Sequence, residues 1–121
     1  MALLTRDAIL ATPERKTVAV PVPEWGGEVH VRMLSGEERD AWEQDMAARR
    51  KEQPDGSFRI NNVRAALTAA TACDEDGKLL FGPDDVEALG RKFGAALERI
   101  HAAAGRLNRI GSTDEEELAK N

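Results

Sequence analysis

The sequence predicts a small α+β fold: an N-terminal β-hairpin, with room for a third short strand, packed with three to four helices. Three observations lead there. Residues 16–22 and 28–33 alternate apolar and polar side chains around Gly26-Gly27, the pattern of two antiparallel strands joined by a turn. Ser35 and Glu38 stand three apart ahead of a helical stretch, which is a capping box. From Val86 onward the apolar residues recur at near-heptad spacing. A chain of 121 residues has room for one hydrophobic core. The reading is one domain over residues 1–110 and an acidic, frayed or disordered tail over residues 111–121.

Taken in order, Thr5 caps a short helix that reaches about Leu10 and is stopped by Pro13. In the first strand Val18, Val20 and Val22 share a face, and Pro21 and Pro23 lack amide donors, which puts this strand at a sheet edge or ends it early. In the second, Val29, Val31 and Met33 oppose Glu28, His30 and Arg32. The capping box starts a helix at Gly36 that runs to about Arg50, with a thin stripe of Ala41, Trp42 and Met46. The basic run Arg49-Arg50-Lys51, followed at once by Glu52, reads as its solvated end. Gln53 to Ser57 reads as a polar, mobile loop.

Asn61 or Asn62 caps the next helix, with Val63, Leu67 and Ala70 facing inward, and the turn Asp74 to Lys78 ends it. Leu79-Leu80-Phe81 is a brief strand or an anchored connector. Gly82-Pro83-Asp84-Asp85 has proline and acidic residues where a helix start favours them. The stripe Val86, Phe93, Ile100 and Leu107, flanked by Leu89, Leu97 and Ile110, is interrupted by Gly90 and Gly94. Each of these glycines costs about 1 kcal/mol in a helix interior, so the segment splits or kinks near residues 91–94.

Composition narrows the function. Leu, Ile, Val and Phe make up about a fifth of the chain, close to the level below which chains stay unfolded. A core rich in alanine removes less area from water, which predicts modest stability and reliance on a partner. The net charge of −5 argues against wrapping nucleic acid. A single cysteine, Cys73, forms no internal disulfide and suits a reducing cytosol. The N-terminus lacks the basic and apolar regions of a signal peptide, and no apolar run approaches the ~20 residues that span a bilayer.

Candidate chemistry is sparse. His30 and His101 are the only histidines, and no third group pairs either of them with Cys73 as a nucleophile. The loop from Asp74 to Asp85 invites comparison with a calcium-binding loop. Lys78 and Leu79 occupy a ligand position and the required glycine position, so ordinary turn chemistry is the better account. Neither a phosphate-binding glycine loop nor a zinc ligand set is present. The expectation is a non-enzyme without metal or cofactor.

The opening Met1 to Asp7, the segment Val20 to Val29, the helix start Glu38-Arg39-Asp40-Ala41 and the turn Asp74 to Lys78 resemble tail assembly chaperones of siphophages and their prophages. So do Glu87-Ala88-Leu89-Gly90 and Arg106-Leu107-Asn108. The resemblance runs from Met1 to about Ile110. It implies a cytoplasmic protein of the bacterial host that binds the tape measure protein and recruits tail tube subunits, and that is absent from the finished virion. It also implies that this chain is the shorter product of a gene with a programmed frameshift. The alternative is a minor head–tail or tail protein retained in the virion. No nucleic acid and no membrane enter either reading.

Partner binding by such a protein falls to apolar helix faces. The candidates are Trp42, Met46, Leu97, Ile100 and Leu107. The same residues serve equally as core, and both readings stay open on the sequence. Trp25, at the hairpin turn, is either a cover over the core or an exposed anchor.

Overall fold

The computed structural model describes residues 1–110; the acidic segment 111–121, expected to fray, lies outside the described residues. The fold is α+β. Strand β1 (Thr17–Val22) pairs antiparallel with β2 (Gly27–Arg32), with Thr17 opposite Arg32 and Val22 opposite Gly27. The turn between them is a 3-10 turn at Pro23–Trp25, closed by Gly26 at φ +73°. Only a residue without a Cβ adopts that conformation cheaply. β1 is an edge strand, as Pro21 requires, and β5 (Ala72–Cys73) lies on the far side of β2. The third strand therefore exists, but at Ala72–Cys73. Leu79 makes a single bridge to Cys73, and residues 79–81 are a connector.

Around this sheet lie five α-helices among the described residues, one or two more than expected. They are α1 (Arg6–Ala11), α2 (Gly36–Ala48), α3 (Val63–Thr71), α4 (Val86–Gly90) and α5 (Gly94–Leu107). Thr5 caps α1, accepting from the amide of Ala8. That helix buries none of its residues, so it adds nothing to the core. The capping box at α2 is complete: Ser35 Oγ accepts from Glu38 N at 3.1 Å, and Glu38 Oε1 accepts from Ser35 N at 2.8 Å. α5 packs on α3 and across β1 and β2. The core gathers Val20, Val22 and Val31 from the sheet, Trp42 and Met46 from α2, Leu67 from α3 and Ile100 from α5.

Four expectations need correction. Arg50 and Lys51 are not the end of a helix: α2 stops at Ala48, and Arg50–Glu52 forms strand β3. It pairs with β4 (Phe58–Ile60), so the stretch from Gln53 to Ser57 is the turn of a second hairpin, with Gly56 at φ +86°. Phe93 is 63 % exposed. It precedes the first turn of α5 as N-cap, and the break at Gly90–Gly94 resets the helical phase that would have carried it inward. Val18 is also exposed, because only the Val20–Val22 end of β1 lies under the helices.

Asn108 fastens the end of α5 to the start of α2. Its Oδ1 accepts from Leu34 N at 2.7 Å and its carbonyl accepts from Arg39 at 2.9 Å. Past Asn108, Arg109 adopts φ +55°, and Ile110 N donates back to Gly105 O at 2.7 Å. This is a Schellman motif, and it turns Ile110 into the core at 6 % exposure.

Candidate docking groove

An apolar depression runs between α2, α3 and the connector 79–83, with a volume of about 390 Å³. Each wall has a local origin. The capping box fixes where α2 begins and thereby the phase that turns Trp42 inward, while Ala41 stays exposed beside it. α3 contributes Ala66, Ala69 and Ala70, whose small side chains leave the floor hollow. Phe81 closes the opposite side, held by the turn at Asp74, where Asp74 Oδ1 accepts from the amides of Asp76 and Lys78 at 2.9 Å each.

The charges on the rim are already engaged. Glu38 takes Arg15 at 3.1 Å and pairs with Arg32, whose other nitrogen donates to Gly77 O at 2.7 Å. Burial works against the ionised Glu38. The Ser35 amide and the Arg15 and Arg32 guanidiniums outweigh it, so the carboxyl is held below its ordinary range. Asp45 is bound to Arg49 at 2.9 Å. With these charges paired, the groove presents mainly hydrocarbon to a partner.

A second depression of about 420 Å³ lies beside it, lined by Trp25, Asp85, Ala88, Leu89 and Lys92, and it shares Phe81. Phe81 lines both depressions. Trp25 is 37 % exposed and lies outside the buried core, with the Lys92 ammonium 6.0 Å from its ring centre.

Of the five residues expected at an interface, Trp42, Met46, Leu97 and Ile100 are 0–4 % exposed, and Leu107 is half-buried against the core. Trp42 borders the groove; Leu97 borders a smaller, more polar cleft beside Asn62 and Gly90. The residues sequence reasoning missed are Phe81, Leu79 and the alanines of α3 that make the concavity. One signal for them was available: an apolar connector bounded by turns has few ways to bury its side chains.

Cys73 is buried, and that burial pushes its thiol pKa up, away from the reactive thiolate. Asp85, at the last position of the would-be calcium loop, accepts from Gly82 N at 2.9 Å as a turn residue. Among the described residues no group of three or more His, Cys, Asp or Glu side chains could hold a metal ion, and no helix is long and apolar enough to cross a membrane.

The model of a family described as phage tail assembly chaperone matches residues 5–121. Among solved structures, that of the bacteriophage HK97 tail assembly chaperone is similar, with a TM-score of 0.57 and 23 % identity. The alignment covers 84 % of this chain and 90 % of that one. At this identity the likeness concerns the fold. No curated protein matches the chain.

Proposed function

Because the chain belongs to the phage tail assembly chaperone family, we propose that it binds the tape measure protein of its phage and gathers tail tube subunits around it, in the host cytoplasm. Family membership carries a non-catalytic role, so the work is binding. The observation that supports this reading is the apolar groove walled by Trp42 and Phe81 over the alanines of α3. Concave hydrocarbon surface with a floor of small residues suits the apolar face of an amphipathic helix, which would set large side chains against the alanines. Trp42 would act as an anchor at the groove wall. Met46 and Ile100 would support it from within the core, Leu97 would act from the smaller cleft it borders, and Leu107 would contribute at the margin of the core.

The test is co-expression with the tape measure protein encoded by the same phage, followed by pull-down from the soluble fraction. The wild-type chain is expected to keep the tape measure protein soluble and to co-purify with it. Ala41→Lys places an ammonium in the groove from an exposed helical position, where it leaves the core untouched. It should retain the wild-type melting temperature and lose most of the capture. Capture unchanged in Ala41→Lys would remove the groove from the interface, and an insoluble tape measure protein beside soluble wild-type chain would remove the partner.

A further inference from the structure

The hairpin β3–β4 forms a two-stranded sheet separate from the main one. Its register sets Lys51 directly opposite Arg59, so both side chains rise from one face, while Arg50, Glu52, Phe58 and Ile60 belong to the other. On that second face Ile60 is packed against the core, and the Arg50 guanidinium lies 4.5 Å from the Phe58 ring centre. The first face points outward. Lys51 and Arg59 are both exposed, and among the described residues neither enters an ion pair.

Like charges directly opposite each other across a strand pair are unfavourable, with Cβ atoms only about 5 Å apart. Charge on a sheet edge does discourage stray strand pairing. An opposed acid and base would do that equally well, without repulsion. Two cations at this spacing instead complement a single carboxylate lying between them.

We infer that the outer face of this hairpin docks an acidic segment of a partner protein, one aspartate or glutamate side chain lying between Lys51 and Arg59. The opposed pair is only two cations wide, which fits a carboxylate side chain and falls short of the basic run that a nucleic-acid backbone would engage. The strands also end in open edges whose backbone groups can pair with an extended partner chain. The site is distinct from the apolar groove and does not depend on what fills it.

The experiment titrates a fluorescent hexaglutamate peptide into the full chain and follows anisotropy at low and at physiological salt. The decisive variant is Lys51→Glu, whose new carboxylate pairs with Arg59 from within the hairpin. Its melting temperature should equal or exceed that of the wild type, and it should bind the peptide about tenfold more weakly. Equal binding by wild type and Lys51→Glu would overturn the inference. Tighter binding of single-stranded DNA of matched charge would also overturn it, marking a phosphate surface. In the full chain, neutralising Asp114, Glu115, Glu116 and Glu117 to Asn and Gln should leave peptide binding unchanged. A gain at physiological salt that Lys51→Glu abolishes would identify the chain's own acidic stretch as the occupant and refute a partner segment.

Discussion

Gly105→Ala should destabilise the protein, although helix propensity alone predicts the opposite. Gly105 lies inside α5, where replacing glycine by alanine ordinarily contributes about 1 kcal/mol. Here a Cβ would sit 2.7 Å from the backbone carbonyl oxygen of Ile110. No rotamer relieves a clash with backbone. The Schellman turn would have to open, giving up the bond from Ile110 N to Gly105 O, worth about 1 kcal/mol. It would also draw Ile110 partly out of the core, at about 2 kcal/mol. Set against the propensity gain, the net loss is about 2 kcal/mol, or roughly 5–10 °C in Tm for a chain of this size. Gly94→Ala is the control in the same helix, since a Cβ there meets nothing within 4 Å; it should hold or raise Tm. Thermal and urea unfolding followed by circular dichroism read both variants. A Gly105→Ala protein as stable as the wild type would refute the packing account of the α5 terminus.

Arg109→Gly should stabilise by about 1 kcal/mol, because Arg109 holds φ +55° at the position where these motifs favour glycine; a lower urea midpoint would contradict this. Trp42→Ala should cost about 3–5 kcal/mol through the cavity it leaves in the core, and should impair both partner capture and stability, whereas Ala41→Lys impairs capture alone. The Glu38 carboxyl has a folded pKa below its unfolded one, so its contribution is complete above about pH 4.5 and is lost as pH falls through the folded value. Urea midpoints between neutral pH and pH 3 should therefore fall less steeply for Glu38→Gln than for the wild type, and identical profiles would count against the Arg15–Glu38–Arg32 cluster as the source.

The parts of the fold legible in the sequence are those written in local chemistry. The valine alternation across residues 18–31 encodes β1 and β2, Ser35 and Glu38 encode the start of α2, and Gly90 with Gly94 encodes the break between α4 and α5. The hairpin β3–β4 escaped because each strand has three residues and carries like charges opposite each other, a pattern that pairing rules disfavour. Strand β5 follows α3 without a gap, and Ala72–Cys73 is too short to alternate. The interface candidates were drawn from a helical stripe. A stripe records which residues are apolar, while a groove depends on which large side chains face small ones across different elements. The opposition of Trp42 and Phe81 over the alanines of α3 is of that second kind.

The covering of β1 and β2 by α5 has a consequence for synthesis. The sheet's valines leave the ribosome before the helix that shields them, which comes about 75 residues later, at roughly 4–15 s for ordinary translation rates. The latch between Leu34 and Asn108 spans a similar length of chain and closes only after both ends exist. During that interval the nascent hairpin presents uncovered apolar surface, so this assembly-chaperone family member must first pass through its own unshielded period. Contacts this distant in sequence also slow the final closure.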